Sequence, residues 1–207
     1  PPGLGAPRRA EPRDDVVSML ATYEEDAESL TDAELGMFLV QLLVAGNETT
    51  RNSISGALVA LAERPDQLDR LAHDRDLLPS AVEEVLRWTT PVTSFLRTAT
   101  ADTVVGGTEV AAGDPLLLLY ASANRDEAEF GPTADRFDVA RSPNHHVALG
   151  HGPHFCLGAA LARLELTAVL DGVCERWARI ELAGPVGRSG SSIIAGITSA
   201  PVTLTPR

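Results

Sequence analysis

Apolar residues recur at helical spacing from Leu35 through Phe38, Leu39, Leu42 and Leu43 to Leu58 and Leu61, a pattern that predicts one long amphipathic helix. Thr31 and Glu34 mark its start as a TxxE capping box, and Pro65 marks where it stops. About 33 residues at 1.5 Å per residue give roughly 50 Å, longer than the usual helix and enough to cross a domain. Inside it, residues 45–50 read AGNETT, setting a glycine, an acid and two threonines where a buried helix carries Ala or Leu. Gly and Thr both weaken helices, and a threonine hydroxyl can bond back to the preceding turn. The segment therefore predicts a bend whose polar groups face a site. A tolerated local defect is the plainer alternative.

The period changes along the rest of the chain. Residues 1–15, rich in Pro, Arg and Asp, read as a mobile lead-in to a short helix from Asp15 to Tyr23. Two further helical stretches follow the long one. They are ERPDQLDRLAHD and LLPSAVEEVLRWTT, the second starting near Pro79 or Ser80 and ending before Pro91. Beyond Pro91, FLRTAT, DTVVGG, TEVAAG and PLLLLYA alternate β-favouring runs with turn residues, as small antiparallel hairpins do. Residues 124–154 read as loop, 158–180 as a helix, and PVTLT as a strand that closes a pair. The predicted class is mainly α with small antiparallel β-sheets.

Composition narrows the function. A chain of 207 residues, 44% hydrophobic and 22% charged, is that of an ordinary globular protein, and one this long buries roughly 70% of its unfolded surface. FLVQLLVAG is interrupted by Gln41 and closed by Glu48 and Arg51, and PLLLLYA is too short for a bilayer, so no membrane partner is expected. The formal net charge of −12 argues against a nucleic-acid partner. The N-terminus lacks the apolar core of a secretory signal and an initiator methionine, as if the chain began partway through something. Two cysteines, Cys156 and Cys174, are too few for a disulfide scaffold and suit a cytoplasmic location.

Residues 148–163 read ALGHGPHFCLGAALAR, and His145, His146, His151 and His154 all fall close before Cys156. Three chemistries use these residue types. A structural zinc site wants four ligands in regular knuckles, which a lone cysteine with irregularly spaced histidines matches poorly. A cysteine nucleophile could be activated by the helix start and a histidine, but no separate base and orienting residue stand out. A thiolate on haem iron accounts for the whole loop. Gly150, Gly152 and Gly158 would let backbone approach a flat porphyrin, the helix N-terminus would stabilise the sulfur anion, and His154 could reach a propionate. Cys174 lies in the apolar pattern of the last helix and reads as a buried, inert thiol.

Three separated motifs resemble one family. LGHGPHFCLG is similar to the cysteine loop FGxGxHxCxG of the cytochrome P450 family, the bacterial haem-thiolate monooxygenases. AGNETT resembles that family's distal-helix motif, and EVLR, residues 84–87, its ExxR. The resemblance runs from about residue 10 to the end and implies the C-terminal portion of the cytochrome P450 fold. Leu149 stands where the family usually has Phe, a change that should alter packing around the sulfur and leave the ligand intact. The resemblance implies haem b with Cys156 as its axial thiolate and metal ligand. Leu149, Gly150, Gly152, His154, Phe155 and Gly158 would surround it, and Arg97 in FLRTAT would bind a propionate. It also implies a proton relay of Thr49 with Glu48 beside bound O2, with Gly46 making room for the oxygen. Ala45, Val92, Phe95 and Ile194 match pocket-lining segments. Glu84 and Arg87, three apart on one helix face, can pair, with Arg136 in ADRFD implied as the third charged partner in a structural role. From spacing alone, a solvated surface pair is the plainer reading of Glu84 and Arg87.

The implied reaction inserts one oxygen atom of O2, the co-substrate, into a small organic molecule, with electrons from a ferredoxin or flavodoxin-type donor. Arg141, His145, His146 and Arg163 would give the thiolate side local positive charge for that donor. Because family members are about twice this length, residues 1–207 are expected to form the C-terminal haem-binding part of a single domain, inactive alone. A noncatalytic haem-binding or scaffolding remnant is the alternative.

Overall fold

The computed structural model describes residues 5–26 and 28–207, so the first four residues of the expected lead-in lie outside it. Backbone contacts divide the chain into a unit ending at Glu48 and a unit from Thr49 to Arg207.

In the first unit, α1 (Gly5–Ala10) and α2 (Val16–Thr22) precede a two-residue hairpin of β1 (Glu24–Glu25) and β2 (Glu28–Ser29). The lead-in read from composition thus contains a helix. Asp15 caps α2 by accepting the Ser18 N–H at 2.7 Å. Arg9 ties the unit together: its Nε donates to the Ala21 carbonyl at 2.9 Å, and its two Nη atoms reach Asp32 and the Leu30 carbonyl. The long helix α3 (Asp32–Glu63) starts at the predicted box, with Thr31 N–H donating to Glu34 Oε2 at 2.9 Å and Glu34 N–H to Thr31 Oγ1 at 3.3 Å. Its helical pairing runs unbroken through AGNETT. Penalties of about 0.5–1 kcal/mol per Gly or Thr are small against a cooperative ladder of 32 residues.

In the second unit, the rest of α3 is followed by α4 (Pro65–His73), a single 3₁₀ turn, and α5 (Leu78–Thr89). Pro65 opens α4, where its missing N–H costs nothing. α5 ends at Thr90, which takes a left-handed φ of 37° because its hydroxyl is held on both sides, donating to the Arg87 carbonyl at 2.7 Å and accepting Asn124 Nδ2 at 2.9 Å. Next, β3 (Ser94–Thr98) pairs antiparallel with β6 (Pro115–Leu119), enclosing the hairpin of β4 (Thr103–Val105) and β5 (Thr108–Val110). The four runs are therefore nested pairs and not successive hairpins. The inner turn is Gly106–Gly107, with φ of 56° and 82°, a geometry that glycine adopts at no steric cost.

Two short helices, α6 (Tyr120–Ala123) and α7 (Glu127–Phe130), interrupt the expected loop. α8 (Ala159–Arg176) ends earlier than its apolar pattern suggests. Trp177 opens β7 (Trp177–Leu182), where Ile180 is buried between exposed Arg179 and Glu181 with the period of two of a strand. β8 (Gly187–Arg188) pairs with β9 (Ile197–Ser199), and β10 (Val202–Pro206) closes on β7 as the PVTLT segment predicts. Leu61, Leu71, Val85, Leu86, Leu166 and Leu170 join α3, α4, α5 and α8 in one core; burying each leucine contributes about 1.5–3 kcal/mol. The architecture is mainly α with small antiparallel sheets. Among the described residues no helix is long and apolar enough to cross a membrane.

Candidate functional site

The loop before α8 presents a thiol at the mouth of a helix. Gly158 is the cap residue and Ala159 the first helical one, so Cys156 precedes a turn whose amide N–H groups lack internal partners and carry partial positive charge. Cys156 is half-buried and free. Its own N–H donates to the Leu149 carbonyl at 2.8 Å, Gly150 N–H to Val147 at 2.9 Å and Phe155 N–H to Gly152 at 3.0 Å, so the loop is closed on itself. Gly150 needs to be glycine on two counts: its φ is +74°, and a Cβ would come within 3.0 Å of the His154 carbonyl oxygen. A Cβ on Gly158 would reach van der Waals contact with the cysteine sulfur at 4.0 Å. Flanking Cys156 in the chain and in the first turn of α8, Phe155, Leu157 and Leu161 are 51%, 77% and 58% exposed. An apolar shelf around a thiol at a helix start suits a flat, apolar macrocycle with a metal at its centre.

The other two chemistries lack their parts. Among the described residues no three His, Cys or carboxylate groups converge to hold a metal ion. The histidines are drawn elsewhere: His145 Nδ1 lies 3.0 Å from Glu129 Oε1, and His146 Nε2 lies 3.1 Å from Glu83 Oε2. None of them bonds the Cys156 sulfur among the described residues, so a nucleophile there has no base. Cys174 is 1% exposed, and burial pushes its thiol up.

Arg97 on β3 is half-buried, donates to the Leu96 carbonyl at 3.0 Å and leans over the Phe95 ring at 5.6 Å. No acid pairs with it among the described residues, so it fits an external carboxylate such as a haem propionate. His154 is exposed on the cysteine loop. Val92 and Ile194 are brought together by an isolated antiparallel bridge, and Phe95 packs on Tyr120 with ring centres 5.3 Å apart. Ala45, Gly46 and Glu48 lie on α3 in the first unit and Thr49 on α3 in the second. Thr49 is half-buried, and a Cβ added to Gly46 would meet no atom within 4 Å.

The charge cluster is complete and differs from the expected one. Glu84 and Arg87 are both fully buried. Arg87 uses all five of its N–H donors: Nε and Nη2 on the two Glu84 oxygens at 2.7 and 2.8 Å, Nη1 on the Asn124 and Ala134 carbonyls at 2.7 Å each, and Nη2 again on the Arg136 carbonyl at 2.8 Å. Glu84 also accepts Asp138 N–H at 2.9 Å, and Arg141 Nε and Asn144 Nδ2 at 3.1 Å each. The third charged partner is therefore Arg141, whereas Arg136 is exposed and contributes its backbone carbonyl. Sequence spacing misses Arg141 because its approach to Glu84 depends on how residues 134–144 fold back over α5.

This cluster also removes the cationic patch expected around the thiolate. Arg141 is spent on Glu84 and the Thr133 and Arg136 carbonyls, and His145 faces Glu129. Arg163 on α8 forks onto Glu83 of α5 at 2.6 and 2.9 Å, with His146 on the same carboxylate. Burial alone would raise Glu83, but the hydrogen bonds and charge of Arg163 and His146 prevail and bring it to about 2. Ala148 N–H donates to His146 Nδ1 at 3.2 Å, which leaves the proton on Nε2 to face Glu83.

Comparison with known proteins places this geometry. The profile of the family described as cytochrome P450 matches residues 6–177. A steroid C26-monooxygenase of Mycolicibacterium smegmatis is 46% identical over 96% of this chain and 50% of its own. A methyl-branched lipid omega-hydroxylase of Mycobacterium bovis is 44% identical over 97% of this chain and 47% of its own. Among solved structures, a Mycobacterium marinum cytochrome P450 in complex with pseudoionone superposes with a TM-score of 0.90 at 43% identity, covering 96% of this chain and 48% of that one. The chain spans about half the length of the curated relatives it matches.

Proposed function

Because this chain belongs to the cytochrome P450 family, we propose that it carries the haem-thiolate half of a monooxygenase that inserts one oxygen atom of O2 into a small organic substrate. The observation that carries the reading is Cys156, a free thiol held by a glycine-shaped loop at the start of α8 amid exposed apolar side chains. When bound, haem b supplies the electron-transfer and oxygen chemistry. The chain's own residues do the rest. Cys156 Sγ would hold the haem iron as its thiolate ligand, at the start of α8 where unpaired backbone N–H groups gather. Arg97 and His154 would hold the propionates, and Leu149, Gly150, Gly152, Phe155 and Gly158 would shape the loop against the ring.

Thr49 Oγ1 hands on a proton that the Glu48 carboxyl replenishes, and Gly46 keeps side-chain bulk out of that space. In the second unit, Val92, Phe95 and Ile194 border the substrate and exclude water. The balance is one substrate, one O2, two electrons and two protons giving the hydroxylated product and water. No residue here supplies the electrons, so an external donor of the ferredoxin or flavodoxin type completes the reaction. The apolar character of Phe95 and Ile194, and the steroid and lipid in the names of two relatives, support an apolar substrate.

A noncatalytic haem-binding remnant is the second reading, favoured by the exposed apolar side chains Met37, Leu43 and Leu164. The test of the primary assignment is the carbon monoxide difference spectrum of the reduced, haem-loaded protein. A thiolate-type Soret band is expected in the unmodified chain and in Cys174→Ala, and it should vanish in Cys156→Ala. Survival of that band in Cys156→Ala would overturn the ligand assignment. Haem binding without turnover, in a protein supplied with donor, O2 and the rest of the fold, would favour the remnant.

A further inference from the structure

In a chain of formal net charge −12, one cavity is walled by two cations that pair with no acid among the described residues. It measures about 310 Å³ and is bounded by Asn52 and Glu63 on α3, Trp88 at the end of α5, Arg125 beyond α6, and Arg188 at the end of β8. Three guanidinium groups approach the Trp88 ring, and two are neutralised: Arg64, at 4.7 Å, pairs with Glu63 at 3.0 Å, and Arg87, at 5.8 Å, pairs with Glu84 at 2.7 Å. Arg125 is the third, 4.6 Å from the ring centre, and it is half-buried. Its Nη2 donates to the Trp88 carbonyl at 2.8 Å, and no carboxylate pairs with it among the described residues. Arg188 likewise has no acid partner among them, and the one acid in the wall, Glu63, is already taken by Arg64.

A further donor waits in the same wall. Asn52 is 3% exposed, and its Nδ2 has no acceptor among the described residues. A half-buried cation without an anion and a buried N–H without an acceptor are both costly arrangements, and one group with several oxygen lone pairs relieves both. The planar guanidinium fork matches a carboxylate or phosphate with paired hydrogen bonds. At about 30 Å³ per water, the cavity has the room of about ten waters, which admits a small oxyanion with part of its hydration.

The geometry points to a binding site for a small oxyanion, a phosphate or carboxylate group held between Arg125 and Arg188 with Asn52 as a further donor. The site shares no residue with the Cys156 loop and is independent of the haem reading.

Inorganic phosphate and acetate are titrated separately, by calorimetry at constant ionic strength with chloride as the background anion, into the protein extended upstream to the length of its relatives. The comparison set is Arg188→Gln, Arg125→Gln and, as a remote control on β7, Arg179→Gln. Saturable single-site binding is expected for at least one anion, weakened tenfold or more in Arg188→Gln and Arg125→Gln and unchanged in Arg179→Gln. The tighter anion identifies the group the site takes. Arg125 packs on Trp88, so its replacement can disturb the fold; Arg188, exposed at the end of a two-residue strand, decides the matter alone. Absence of saturable binding by either anion, or equal affinity in the unmodified chain and Arg188→Gln, overturns the proposal.

Discussion

At the scale of single residues, the decisive group is Arg87, whose five donors each meet an acceptor inside the protein. A buried ion pair of this kind need not add much stability over an apolar pair, but removing one member strands the other charge. Glu84→Ala should therefore destabilise the fold by about 3–5 kcal/mol, read as a lower denaturation midpoint and a lower soluble yield. A normally folded variant defective only in turnover would instead put Glu84 in the reaction. Thr49 is a different case, since replacing a half-buried hydroxyl disturbs little packing. In the haem-loaded, full-length enzyme, Thr49→Ala should keep consuming electrons and O2 while releasing peroxide and little product. Measuring product formed per electron consumed checks this, and an unchanged ratio would remove Thr49 from the relay. The i,i+3 pairing of Glu84 and Arg87 is legible in the sequence because one helix fixes it. The role of Arg141, 57 positions from Glu84, is not, because only the fold brings the two together.

At the scale of elements, Glu83 fastens α5 to α8 through Arg163 and to the segment before the cysteine loop through His146. Its acidity has been moved from the ordinary 4.5 to about 2. The folded state therefore holds that proton less tightly than the unfolded chain. The stabilisation is complete above about pH 4.5 and is lost as the pH falls toward about 2. Glu83→Gln should lower stability by about 1 kcal/mol at neutral pH, a modest value because solvent screens the partly exposed group. Its stability should also change less steeply than that of the unmodified protein between pH 4.5 and 2, which acid titration of the unfolding transition measures. The loop between these elements has its own constraint. Gly150→Ala should cost about 1–2 kcal/mol, since it adds left-handed strain to the clash with the His154 carbonyl. Haem-loaded protein should lose cofactor faster in that variant, followed as decay of Soret absorbance.

At the scale of the whole molecule, several apolar side chains on α3 and β6 remain in water. Met37 and Leu43 are 76% and 74% exposed, and Leu117 and Leu119 are open as well. At about 25 cal/mol per Å², each few hundred Å² left uncovered forfeits several kcal/mol, comparable to the stability of a whole domain. The chain alone should bind haem loosely and aggregate, and it should not hydroxylate substrate. A version extended upstream to the length of its relatives should bind haem to saturation and turn over. Equal haem occupancy and equal turnover in the two would show that the 207 residues suffice.

Local rules explain what the sequence determined by itself. The capping box at Thr31, the stop at Pro65, the glycines around Cys156 and the pairing of Glu84 with Arg87 are all set by residues within a few positions of one another. Together with three motifs, they identify the family and the fold class and point to Cys156 as the residue to test. What only the tertiary structure decided involves partners far apart in the chain. The WARIEL segment leaves the helix for a strand because β10 pairs with it. Arg141 and Arg163, cations that would otherwise offer a docking surface, are consumed by acids on α5, as is the His146 ring. Arg125 and Arg188 are left facing one cavity whose acid, Glu63, is taken by Arg64, and neither pairs with an acid among the described residues. Burial sets the cost of a charge, and which charges are buried together is a property of the folded molecule, not of any stretch of its sequence.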